Sequence, residues 1–372
     1  MLVLVGGLIG SQLAPSQALA TLPVALMVVG TAFSVIPVVM ASRRWGRKRV
    51  FYAGILVSSC GGLLCSYSLM QQWFIGFCGG AGLMGASLAV VQQYRFAAME
   101  SVTPDLVPKA ASRLLLAGLV AAFLGPELAV WGRDVLATPY AASFLSLLVL
   151  NLLAAAVLVA YKPATITISQ RAAVVQPWRQ LLSQPVLWVA IAGAMVGYTT
   201  MSFIMTATPI SMHVLAGHDL TATKWVIQSH IVAMYLPSLF SGWLISRFGT
   251  ARIMRVGCLA LLSAVVVAGS GTALNNYWLA LILLGIGWNF LFVSGTALLP
   301  SAYGDGEPFR VQALNEFLVF GSQAVAALSA GWVLAGLGWA SLLYISVPLI
   351  LAHLLLLLYW TRFVTPAPAI RH

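Results

Sequence analysis

Charge is what this chain has least of. Of its 372 residues 7% are Asp, Glu, Lys or Arg, and only eight are acidic. Set beside 61% hydrophobic residues and 17 prolines, that scarcity excludes an ordinary soluble domain, in which about a quarter of the residues are charged. The four cysteines, Cys60, Cys65, Cys78 and Cys258, all lie in apolar runs without metal-ligand spacing. They read as small core residues, and neither metal nor cofactor is expected. No H-E-x-x-H pair, G-x-S-x-G elbow, Cys/His cluster, paired intramembrane carboxylate or G-x-x-x-x-G-K-[ST] loop is present. These absences argue against an ATP-driven pump and against an enzyme, although a membrane-embedded hydrolase or lipid transferase stands as the competing class. No water-exposed domain gathers the net charge of +11, so nucleic acid is not an expected partner.

What the chain has in quantity is long apolar runs. Residues 19 to 41 carry no ionisable side chain, and a helix of that length crosses a hydrocarbon core of roughly 30 Å. Further runs lie at about 50 to 70, 73 to 98, 111 to 132, 141 to 161, 185 to 212, 225 to 246, 256 to 274, 277 to 302, 311 to 337 and 340 to 361. With the stretch before Pro15 they make twelve segments. Met1 to Ala14 would span only about 21 Å as a helix and lacks the positive start of a signal peptide. A first membrane helix that begins late is expected, through a misassigned start or a truncation. A nonfunctional truncated transporter is therefore a third reading.

The few charges are placed unevenly. With residue 1 on the cytoplasmic side, sixteen of the nineteen Lys and Arg residues fall in inward connections, led by Arg43, Arg44, Arg47, Lys48 and Arg49. Only Arg133 and Lys224 lie outward, and Arg95 falls inside a run. Such a bias sets orientation on insertion, so both termini are expected in the cytoplasm. The expected organisation is a six-helix bundle over 1–161, a cytoplasmic linker over 162–184 with a short amphipathic helix near Trp178 to Leu182, and a second bundle over 185–372.

The halves echo each other. Arg44-x-Gly46 recurs as Arg247-x-Gly249 at an offset of 203, and Pro108-Lys109-x-x-Ser112 as Phe309-Arg310-x-x-Ala313 at 201. Parallel repeats of this kind build transporters whose site lies between the halves near the midplane.

On these residues the chain resembles the major facilitator superfamily, whose loop between helices 2 and 3 reads G-x-x-x-D-R-x-G-R-[RK]. Arg44, Gly46, Arg47 and Lys48 fit, while Val39 and Arg43 replace the Gly and the Asp; the second half keeps Gly242 but has Ser246 in the Asp position. In the family that Asp helps latch the closed state, and Glu100 or Asp105 could supply the carboxylate here. Gly125-Pro126 matches the end of the family's G-x-x-x-G-P element. Val311 to Gly321, with Gly125 to Leu128, resembles a bacterial branch that includes riboflavin-transporter-like members.

The resemblance implies an all-α membrane protein of the bacterial inner membrane, with twelve transmembrane helices in two pseudo-symmetric six-helix bundles. It further implies secondary active transport of a small organic molecule by a monomer, with alternating access and an option of proton coupling. Arg44, Gly46, Arg47, Lys48, Arg247 and Gly249 would form the cytoplasmic gate motif. Helices 1, 4, 7 and 10 would line the cavity.

An ionisable group at the centre of a membrane helix costs about 2.5 to 3.5 kcal/mol on insertion scales and usually faces a cavity or a partner. Arg95 shares a helical face with Gln92 and reads either as a cavity contact or as a side chain snorkelling to the interface. Glu316 shares a stripe with Gln312 and Gln323; it could titrate, or simply be satisfied near a helix start. Glu127 is the outward carboxylate that protonation could couple, with pairing to Arg133 as the plainer alternative. His230 could carry protons or hydrogen-bond a neighbouring helix. Gly285, Trp288, Asn289, Phe292 and Thr296 recur at helical spacing along one face of the run over 277 to 302. Under the family pattern Gln92, Gln93, Tyr198, Trp288 and Asn289 become substrate contacts, suited to a flat, flavin-like or amphipathic molecule, with ordinary helix packing as the alternative for each.

Overall fold

The computed structural model describes residues 1–94, 97–98, 107–162, 177–302 and 308–363, and its regular elements there are all helical. The first bundle contains α1 (Leu2–Leu13), α2 (Leu22–Trp45), α3 (Arg47–Met70), α4 (Phe74–Gln92), α5 (Val107–Trp131) and α6 (Ala141–Ala160). The second contains α7 (Pro185–Pro209), α8 (Leu220–Tyr235), α9 (Ser238–Phe248), α10 (Thr250–Gly269), α11 (Leu274–Leu298) and α12 (Pro308–Phe363). Helix α7 runs on as a π-turn over Ile210–Leu215, and a five-residue helix, Trp178–Leu182, precedes it.

Each apolar run read from the sequence is largely helical over its described residues, with turns at 20–21 and 236–237 and a non-helical stretch at 270–273. Among those residues eight helices are long and apolar enough to cross a membrane, or nine if the bent pair α8 and α9 is one span. One of the eight lies in α12, whose 56 residues would reach about 84 Å unbroken. Gly338, at φ 79° and ψ 176°, breaks it into two limbs. The helical surfaces are apolar on the outside too: Phe33, Leu152, Val157 and Val266 are each at least 70% exposed. In a hydrocarbon solvent that surface needs no cover, and helices pack instead through close backbone approach at small residues. Thr31 illustrates this at the α2–α4 contact, where its hydroxyl donates to the Gly85 carbonyl at 2.9 Å and to its own helix at Met27, 2.9 Å.

The internal repeat is structural. Gly46 ends α2 at φ 82°, ψ 151° and Gly249 ends α9 at φ 83°, ψ 148°, and each opens the next helix at once. Lys48 fixes the first of these turns by donating to the Val159 and Tyr161 carbonyls, both at 2.9 Å. A cation there satisfies orphan carbonyls at the C-terminus of α6 and complements its dipole. These basic turns mark one end of the molecule.

At the opposite, far end the bundles are in contact. A side chain on Gly331 would meet the Ala18 carbonyl and Thr21, and one on Gly7 would reach Ile210 at 3.4 Å. Ala25 and Val28 of α2 pack on Ala324 and Ala327 of α12.

An added Cβ meets nothing within 4 Å at Gly46 or Gly249, so substitution there carries a conformational cost alone. Gly46→Ala and Gly249→Ala are each expected to lower stability by about 1–3 kcal/mol, to similar extents. Thermal unfolding in detergent checks this, and a loss at only one of the two would break the equivalence.

Candidate functional site

Halfway along α7 and α11, four aromatic rings converge. Trp288 and Phe292, one helical turn apart on α11, stack at 5.2 Å and 16°. Tyr198 of α7 stands edge-on to both, at 5.1 Å from each, and to Phe320 of α12 at 5.5 Å. Tyr235 of α8 approaches Trp288 at 6.2 Å. The first bundle closes the group from across the seam, with Val35 of α2 and Ala89 of α4 packed on Phe320. The Trp288 indole N–H is buried and has no acceptor among the described residues. A buried indole normally finds one, so this donor is open to an acceptor that a ligand brings.

A polar layer lies one turn nearer the basic end. Gln92 and Gln93 follow Ala89 by three and four residues, and Glu316 precedes Phe320 by four, so each sits on the face that carries its apolar neighbour. Gln93 is buried, while Gln92 and Glu316 are half-buried. Beside the rings, the Thr199 hydroxyl donates to Ser322 at 3.0 Å.

Other expected site residues lie elsewhere. Asn289 is 0% exposed and turns away from the rings toward the break between α8 and α9. Its amide donates to the Met234 carbonyl at 2.7 Å and to the Ser238 hydroxyl, and its oxygen accepts from Ser241 at 2.8 Å. The span bends by 42° here, at Leu236 and Pro237. The first limb ends at Tyr235, and the last carbonyls of a helix have no donor within it, so inside a membrane they must find others. Asn289 supplies one for Met234, which gives it a structural role away from the rings. His230 is likewise enclosed, with Nδ1 2.7 Å from the Leu281 carbonyl, which ties α8 to α11.

Glu127 pairs with Lys224 of α8 at 2.8 Å rather than with Arg133, which lies 3.6 Å from Asp134. Arg133 is past the end of α5 and cannot share the face of Glu127. Arg44 and Arg247 are exposed at the basic end, Arg44 lying 5.9 Å from the Trp45 ring. Arg47 is half-buried beside them. Arg95, Glu100 and Asp105 lie outside the described residues. Phe320 was not singled out from the sequence; its spacing from Glu316 and Gln323 resembles that of any apolar helix position.

Two helical bundles with an aromatic, partly polar centre at their seam define a polytopic membrane transport protein. A family model, the Major Facilitator Superfamily, matches residues 1–307. The chain is 35% identical to the riboflavin transporter RfnT of Brucella anthropi over 353 residues, covering 94% of this chain and 88% of that protein. It is 32% identical to the uncharacterised transporter YdeG of Bacillus subtilis over 358 residues, covering 91% and 83%. Among solved structures, a bacterial homologue of the iron transporter ferroportin, in an outward-facing state, matches with TM-score 0.61 at 16% identity, covering 96% and 94%. This chain belongs to the Major Facilitator Superfamily.

Removing the Asn289 amide strands the Met234 carbonyl and takes a partner from Ser238, while the Ser241 hydroxyl keeps the Pro237 carbonyl. Asn289→Ala is expected to cost about 2–4 kcal/mol, from one or two unsatisfied buried groups. Unfolding in detergent reads the loss, and an unchanged midpoint would return Asn289 to the cavity.

Proposed function

We propose that the chain is a secondary active transporter that carries a flat, heteroaromatic small molecule of the riboflavin class by alternating access. One observation carries this reading: the Tyr198, Trp288, Phe292 and Phe320 rings meet at mid-helix on the seam between bundles, and the Trp288 indole N–H has no acceptor among the described residues. Planar rings with carbonyl acceptors suit it, since they can stack on aromatic faces and accept from that donor. The 35% identity to a riboflavin transporter supports the same substrate class.

In this reading residues 1–161 and 185–372 rock as bundles about the ring cluster, joined by a linker over 162–184. The basic turns face the cytoplasm of a bacterial cell, as loop charge bias favours. Gln92 and Gln93 supply polar contacts on the cytoplasmic side of the rings. Glu316, on the face of Phe320, is the carboxylate best placed to couple a proton to substrate movement. Glu127 and His230 are less suited, because each lies away from the rings.

Quenching of riboflavin fluorescence by purified protein tests the site. Trp288→Leu is expected to weaken binding about tenfold or more, the equivalent of roughly 1.4 kcal/mol. Trp332→Leu, at a 65% exposed ring, is expected to leave it unchanged. Equal affinity in wild type and Trp288→Leu would remove the ring cluster from the binding site.

A further inference from the structure

Among the described residues, the far-end seam holds one buried ion pair. Lys224 lies one turn into α8 and Glu127 one turn before the end of α5, so the two meet from opposite bundles. Their side chains are only 9% and 23% exposed, and the Lys224 ammonium donates to the Glu127 carboxylate at 2.8 Å. Gln228, a turn further along α8 and 1% exposed, donates to the Phe123 carbonyl at 3.3 Å and to Glu127 at 3.4 Å. The Trp225 ring lies 5.1 Å from the ammonium. Among the described residues at this end, the hydrogen bonds that cross between bundles are all made by these side chains.

We infer that Lys224, Glu127 and Gln228 form the lock that holds the far end closed, with Lys224 as a positioning residue of the transport cycle. The inference rests on the alternating-access reading. The remaining contacts at this end, Gly331 on Ala18 and Thr21, Ala25 and Val28 on Ala324 and Ala327, and Gly7 on Ile210, carry no charge. Opening wets them at a hydrophobic cost, but that cost is non-directional and selects no partner. The ion pair differs, because separating it leaves two charges in apolar surroundings until water enters. That makes the contact close to all-or-none, as a gate requires.

Spin labels at Val135 and Leu215, both exposed near the far end of opposite bundles, report the separation directly. The test uses full-length protein in lipid nanodiscs, with exposed Cys60 changed to Ser and no substrate added. Wild type is expected to show mainly the short distance. Glu127→Gln and Lys224→Met are each expected to raise the long-distance population about fivefold or more. Lys224→Arg, and the double exchange of Glu127→Lys with Lys224→Glu, are expected to return it toward wild type. Single variants that leave the distribution unchanged would overturn the lock. So would an exchange that stays open like the singles, since packing rather than charge pairing would then set the closure. Gln228→Leu, the mildest change, is expected to shift the same population by less, and no shift in it would remove Gln228 from the lock. Riboflavin takes no part in this measurement, so a wrong substrate class leaves its outcome unaffected, and a failed lock leaves flavin binding untouched.

Discussion

A backbone carbonyl inside a membrane must be hydrogen-bonded by protein, because no water is there to replace a missing donor. Two of the breaks described in this chain show how the demand is met. At Gly46, Gly249 and Gly338 the chain breaks with positive φ, and at the first of these Lys48 occupies the carbonyls that end the neighbouring α6. At Pro237 the break falls inside a span, and the repair is a side chain from another helix: Asn289 with Ser238 and Ser241. The bent span can therefore exist in lipid because α11 offers an amide at the level where α8 loses a helical bond.

The same constraint divides the second bundle into a rigid part and a seam. His230 ties α8 to α11 through Leu281, and Asn289 ties α11 to the end of α8 and the start of α9. With these bonds turned inward, the face left toward the first bundle is almost wholly aromatic at its centre and ionic at its far end. Aromatic surface forms weak, broadly directed contacts that a planar ligand can replace. An enclosed ion pair forms a strong and narrow one. A seam that combines the two can recognise a ring system at the centre while its end is held shut.

Much of this was legible in the sequence, where the pattern is local. The gap between the runs ending at 337 and starting at 340 contains Gly338, where α12 breaks, and Arg44-x-Gly46 and Arg247-x-Gly249 fold into turns with matching dihedrals. Tyr198 and Trp288 were singled out together, and they meet. Asn289 was grouped with Trp288 because the stripe of five residues on α11 looked like one face. It is two neighbouring faces: Trp288 and Phe292 turn to the seam, whereas Gly285 and Asn289 turn to α8, where Gly285 lets the His230 carbonyl approach closely. Residues one apart differ by about 100° on a helix, enough to change partner. The Glu127–Lys224 pair was hidden for another reason. Its members are 97 positions apart, and spacing along the chain carries no information about which helices of two bundles touch.

Exchange of labelled for unlabelled riboflavin across reconstituted vesicles tests the central claim most directly. Vesicles preloaded with unlabelled riboflavin should transiently accumulate the label above its equilibrium level, because one site open alternately to each side exchanges solute without net flow. Uptake that never exceeds that of protein-free vesicles would contradict the account.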